Sequence, residues 1–206
     1  MADKRSHFGM AGHLWAMSEF LLRGWNVSVP YVDVGDDVLV IEDASATIYR
    51  VQVKTREGVP TDDRGEPTLC LGYLISREQL FTRKDRELFY MLLARWEERW
   101  RFLLFPRAEL AQVRRDFEAS DRRGRPGRPP AMDGDVLNLV VEWRASRASG
   151  WGADLSGFLD RWPVPLAPIS DGPGPTKRGA PRSPGVETPP ARDSGGDPPR
   201  DPSAGE

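Results

Sequence analysis

Residues 34–56 read VGDDVLVIEDASATIYRVQVKTR, two apolar runs in which charged and amide side chains interrupt the strand pattern instead of lying in the connecting loops. Burying such groups is costly unless they are hydrogen-bonded or put to use. Residues 38–41 form a short apolar run. Residues 47–55 alternate, with Ile48, Arg50, Gln52 and Lys54 on one face and Tyr49, Val51 and Val53 on the other, the period of a strand. Joining 38–42 to 47–54 as a hairpin across residues 43–46 sets Glu42 opposite Thr47 and Asp37 opposite Gln52. Lys54, two positions on, projects from the same face as Gln52, so a carboxylate, an amide and an ammonium converge. A two-residue slip would set Asp37 against Lys54 and keep the group, whereas a one-residue slip would scatter it over both faces.

Working outward, residues 10–23 place Leu14, Met17, Leu21 and Leu22 at helical spacing, with Gly24 as a stop, which predicts an amphipathic helix. Residues 25–31 read as a short strand. The polar segment 56–67, with Gly58, Pro60, Asp62, Asp63 and Gly65, reads as a loop. Residues 69–75, 88–95 and 100–106 are apolar strand candidates, with Glu97, Glu98 and Arg99 as the turn between the last two. Residues 107–117 read as a helix, 120–132 as an irregular basic connector, 136–143 as a strand, and 154–162 as a short helix capped by Asp154. No internal repeat is present. The order predicts a mixed α/β or α+β domain built around a central mixed sheet flanked by helices.

The chain has 206 residues, of which 39% are hydrophobic, and the shortage of apolar residues is local. From Pro163 to Glu206, 44 positions hold 12 of the 19 prolines and 7 of the 20 glycines, so this tail is predicted to stay disordered. The expected organisation is a folded domain over 1–162 and a Pro/Gly-rich tail over 163–206. Five of the 29 basic and six of the 31 acidic residues lie in the tail, leaving 24 against 25 in the domain. That balance provides no global basic field for nucleic acid, so any such contact must come from local patches. A single cysteine, Cys70, excludes an internal disulfide and a cysteine-rich zinc site. The N-terminus lacks an apolar signal region and no uncharged run approaches a membrane span, which sets the expectation of a cytoplasmic protein.

The 34–56 cluster suits metal-assisted phosphodiester hydrolysis. Asp37 and the Gln52 amide oxygen are hard oxygen ligands of the kind Mg²⁺ takes, leaving positions for waters and a phosphate oxygen. The metal would activate its bound water, and the Lys54 ammonium would stabilise the attacking hydroxide or the charge developing on phosphorus.

Asp37 before an apolar strand, then Gln52-Val53-Lys54 at the end of the next, preceded by a helix ending in Leu21-Leu22-Arg23-Gly24, resembles the PD-(D/E)XK endonuclease superfamily. The likeness is to the variant with glutamine in place of the last acidic residue, as in domains related to intron homing endonucleases and Holliday-junction resolvases. It covers roughly residues 8–106, and RWRFLLFPRAEL is similar to the strand and helix that often close such domains. The resemblance implies Mg²⁺-dependent cleavage of DNA, with Asp37 as central metal ligand, Gln52 as second ligand and Lys54 as catalytic lysine. The family's first-helix glutamate falls here on His13, while Glu19, the carboxylate of that helix, points about 120° away on a 3.6-residue period. Family members are often dimers because two cuts need two sites, which makes a homodimer an analogy from fold alone.

Each of these residues also has a plainer role. His13 is either a metal ligand or proton carrier in place of the glutamate, which would tilt the site toward Mn²⁺ or a later metal, or it caps and packs the helix. Glu19 is either the missing acid or a solvated helix-face carboxylate. Asp33 and Asp36 either assist Asp37 or solvate the turn. Arg122, Arg123, Arg125 and Arg128 offer a basic rim for phosphate contacts or a solvated insertion. The seven tryptophans read as packing rather than a base-stacking platform. Against another enzyme class stands the absence of a Gly-rich phosphate loop, a dinucleotide fingerprint or a nucleophile with a histidine at known spacing. A catalytically degenerate module of the same fold, binding nucleic acid or protein without cutting, is the alternative function.

Overall fold

A computed structural model describes residues 4–31, 36–43, 45–63, 65–82, 87–124 and 134–166, with backbone alone for 4, 5, 121–124 and 164. Contacts divide the chain into Met1–Ser170 and Asp171–Glu206; the second unit lies outside the described residues, whereas the expected tail begins too early, since Val164–Leu166 form a 3-10 turn.

The fold is mixed α+β with two five-stranded sheets. The first contains β1 (Asn26–Ser28), β2 (Val38–Glu42), β3 (Thr47–Glu57), β6 (Leu88–Trp96) and β7 (Arg99–Pro106), in that spatial order. β3 and β6 run parallel and the other pairs antiparallel. The second contains β10 (Ala153–Asp154), β9 (Ala148–Gly150), β8 (Val136–Trp143), β5 (Glu66–Ser76) and β4 (Thr61–Asp63), all antiparallel. Three helices complete the described part: α1 (Lys4–Leu22), α2 (Arg77–Phe81) and α3 (Arg107–Gly124). No helix among the described residues is long and apolar enough to cross a membrane.

Every residue of β6 except Arg95 is buried, because this strand lies between two cores. Leu88, Tyr90, Leu92 and Ala94 face the second sheet and α3, and Phe89, Met91 and Leu93 face α1. Leu166, fully buried, belongs to the α1 side. The β6–β7 hairpin closes with Trp96 opposite Arg99, and Glu97 and Glu98 both take positive φ, 46° and 63°, the backbone of a two-residue type I′ turn.

Helix α1 ends as expected. Gly24 takes φ 84°, and the Trp25 and Gly24 amides donate to Phe20 and Leu21 carbonyls at 3.1 and 2.9 Å, a Schellman cap. The buried face of the helix is not the leucine face, however. Ala16 and Phe20 are buried, while Leu14, Leu21 and Leu22 are 59%, 53% and 79% exposed. The reason is steric. A Cβ on Gly12 would lie 2.1 Å from Thr55 Oγ1 and 2.7 Å from its Cγ2, so the helix axis comes closer to β3 than any row of leucines would allow. Gly12→Ala should therefore force the helix outward and cost about 2–3 kcal/mol, lowering Tm by roughly 5–10 °C in a circular-dichroism melt. A second substitution, Thr55→Ala, should recover part of that loss.

Three other expectations are corrected. The 56–67 loop contains β4, which pairs Thr61 with Thr68; its three residues, TDD, are exposed and carry no apolar signal. The basic connector begins later than expected, since α3 continues to Gly124. The helix at 154–162 reduces to one 3-10 turn, Ser156–Phe158. There the Asp154 carboxylate accepts the Ser156 amide at 2.8 Å, and residues 148–154 are spent on the β9–β10 ribbon.

Candidate active site

The hairpin register pairs Val38 with Val51 and Glu42 with Thr47. One step beyond the strand, the Asp37 amide donates at 3.0 Å to the carbonyl of Val51, the residue that Val38 already faces, so the ladder ends in a bulge and the expected pairing of Asp37 with Gln52 is not formed. The Asp37 carboxylate Oδ2 accepts the Val53 amide at 2.7 Å, which fixes the side chain at the mouth of the hairpin. Gln52 is 6% exposed, and its Oε1 is buried with no hydrogen-bond partner. Lys54, half-buried, lies two positions along the same strand and shares the Gln52 face by the strand period.

From the helix side, His13 Nε2 lies 3.7 Å from Asp37 Oδ2, beyond hydrogen-bond length. Helix α1 thus brings its histidine, not its carboxylate, to the aspartate. Glu19 sits one and two-thirds turns further on, where Oε2 accepts from Arg23 at 2.6 Å and the Arg23 guanidinium stacks 4.1 Å from the Trp162 ring centre. Its partner is therefore at the helix's far end. Asp33, Arg125 and Arg128 lie outside the described residues, and Arg122 and Arg123 belong to α3 as backbone only.

Sequence reasoning missed one partnership. Asp36 is buried and accepts two hydrogen bonds from Arg50, through Nε and a terminal nitrogen, each 2.5 Å. Such a bidentate pair restrains both planes, and it anchors the residue just before Asp37. The signal was available: Arg50 shares its strand face with Gln52 and Lys54, and three aspartates lie upstream. Tyr90 is the neighbour of Gln52 across the β3–β6 ladder. Burial pushes its phenol well above the ordinary value, against the nearby Arg107 and Arg50 charges, and the hydroxyl donates to Gln79 Oε1 at 3.3 Å.

Among the described residues no three His, Cys, Asp or Glu side chains gather as a metal-binding group. The Asp37 carboxylate and the His13 imidazole approach to 3.7 Å, and Gln52, next to the Val53 whose amide Asp37 accepts, carries an orphaned buried oxygen on the strand face it shares with Tyr90. A carboxylate and an amide oxygen are hard donors of the kind a small divalent cation takes. A separate cleft of about 360 Å³ lies along β8–β10, lined by Arg144, Arg147 and Asp154 among others. Its Arg144 is saturated by Asp63, Glu66 and Glu142 at 2.7, 2.7 and 2.8 Å, and it shares no residue with the Asp37 group.

No protein-family model matches the chain, and no curated protein does. Among solved structures, the bacterial homing endonuclease I-Ssp6803I is similar over 53% of this chain and 74% of its own, at 17% identity and a TM-score of 0.35. A likeness of that size decides nothing about the site, which rests on the register and contacts above.

Proposed function

We propose that the chain is a metal-dependent endonuclease that hydrolyses phosphodiester bonds of DNA at Asp37, Gln52 and Lys54, with Mg²⁺ or Mn²⁺ as the cation. The observation that carries this reading is Gln52 Oε1, buried and without a hydrogen-bond partner, on the residue preceding the Val53 whose amide the Asp37 carboxylate accepts. An unsatisfied buried acceptor costs about 1–3 kcal/mol, and a cation shared with the Asp37 carboxylate offsets that cost. Bound there, a divalent ion supplies Lewis acidity that activates water and draws charge from a phosphate oxygen. Asp37 and Gln52 would hold the cation, and His13 lies 3.7 Å from Asp37. The Lys54 ammonium, on the Gln52 face, stabilises negative charge building on the attacked phosphate. Tyr90 keeps its proton because burial raises its pKa, so it serves as a hydrogen-bond donor and not as a base. Cutting both strands of a duplex calls for two such sites, and hence for a homodimer.

A second reading, a non-cleaving module that binds nucleic acid, is favoured by one observation: the carboxylate of α1, Glu19, is engaged by Arg23 and not directed at Asp37. Plasmid nicking decides between the two. The parent should convert supercoiled DNA to the open circle with Mg²⁺ or Mn²⁺ and not with EDTA, and Lys54→Ala should slow it by about 100-fold or more. Cleavage surviving in both Lys54→Ala and Asp37→Ala would mean the site is elsewhere. DNA retention in a gel shift with no cleavage by the parent would establish the second reading.

A further inference from the structure

We infer that His13 is a direct metal ligand that sets the cation preference of the Asp37 site toward Mn²⁺ and later divalent ions over Mg²⁺, an inference that rests on the proposed function. Three observations converge on it. His13 Nε2 faces Asp37 Oδ2 at 3.7 Å with no hydrogen bond joining them, and the side chains are 30% and 20% exposed, open enough for an ion to enter. Gln52, the residue before the Val53 whose amide Asp37 accepts, has a buried oxygen without a hydrogen-bond partner. Gly12, the neighbour of His13, is seated against Thr55 so closely that a Cβ would overlap it, which fixes the depth of the helix and keeps the imidazole at the mouth of the hairpin.

The chemistry follows from the donor types. Mg²⁺ binds oxygen ligands and resists exchange of its waters for nitrogen, whereas imidazole affinity rises along the first-row series from Mn²⁺ onward. A carboxylate in the place of His13 would complete an all-oxygen set suited to Mg²⁺. An imidazole there shifts the balance without altering Asp37 or Gln52. Glu19 does not compensate, because Arg23 holds it at 2.6 Å.

The test is a pair of titrations, MnCl₂ and MgCl₂, on the full chain by isothermal calorimetry, with free Mn²⁺ followed in parallel by electron paramagnetic resonance. The parent, His13→Ala, His13→Glu, His7→Ala and Asp37→Asn are compared, each first checked by thermal melt. Loss of groups that only support metal ligands costs about 10–100-fold in affinity, so His13→Ala should reduce the Mn²⁺-over-Mg²⁺ preference by at least about tenfold. His13→Glu should raise Mg²⁺ affinity above the parent's, and His7→Ala, an exposed histidine on the same helix, should change nothing. In NMR spectra, Mn²⁺ should broaden the His13 imidazole signals before those of His7. An unchanged preference in His13→Ala, with Asp37→Asn binding neither ion, would overturn the role of His13 and leave the metal site standing. A parent that binds neither ion would overturn the site and the inference together.

Discussion

Asp37→Asn should leave the protein folded and lower metal-dependent nicking by more than about 100-fold. The structural role of Asp37 is to accept the Val53 amide at 2.7 Å, and an asparagine Oδ1 can accept the same hydrogen bond from the same place. What asparagine cannot supply is the anionic oxygen that the proposed divalent cation would bind at the hairpin mouth. Groups that only orient metal ligands cost 10–100-fold when removed, so a direct ligand should cost at least the upper end, about 100-fold. Asp37→Ala makes the contrast, because it removes charge and hydrogen bond together. It should lose activity to the same degree and in addition about 1–3 kcal/mol of stability for the exposed or orphaned amide. Single-turnover nicking rates alongside thermal melts of the three proteins separate the effects. Parent-like nicking by Asp37→Asn would remove the carboxylate from the chemistry.

The parts of this site that were legible in the sequence are those governed by the two-residue period of a strand. Asp37, Gln52 and Lys54 belong to one hairpin, and its alternation fixed the register that the structure adopts, with Val38 opposite Val51. Period says which residues share a face and nothing about which element covers that face. For that reason α1 was read with its leucines inward, whereas the close approach of Gly12 to Thr55, a contact between residues far apart in the chain, turns them outward. The division into two sheets was hidden for a related cause. β5 and β8 alternate as half-buried strands, a pattern equally consistent with the outer strands of a single sheet. The nearness of His13 to Asp37 depends on the same helix seating. Both histidines, His7 and His13, lie in the first helix, and no pattern within the helix gives the distance of His13 from β2.

Arg50 is the position where substitution should damage the fold most, and where stability and site geometry can be separated. Its guanidinium and the Asp36 carboxylate are 10% and 6% exposed as side chains and bonded twice. Removing one partner of such a pair strands a buried charge, so Arg50→Leu should cost about 3–5 kcal/mol, visible as a lower urea midpoint with an unchanged slope. Replacing both members by apolar residues of similar volume, Arg50→Met with Asp36→Leu, removes the stranded charge and should return most of that stability. If the pair served the fold alone, the double variant would bind Mn²⁺ as the parent does. Because the pair anchors the residue next to Asp37, the double variant should instead stay stable while its Mn²⁺ affinity falls by about 10–100-fold, the range seen when groups that orient metal ligands are lost. Parent-like affinity in the stable double variant would assign Arg50 and Asp36 to folding only, and would leave the position of Asp37 to the Val53 amide and the hairpin register.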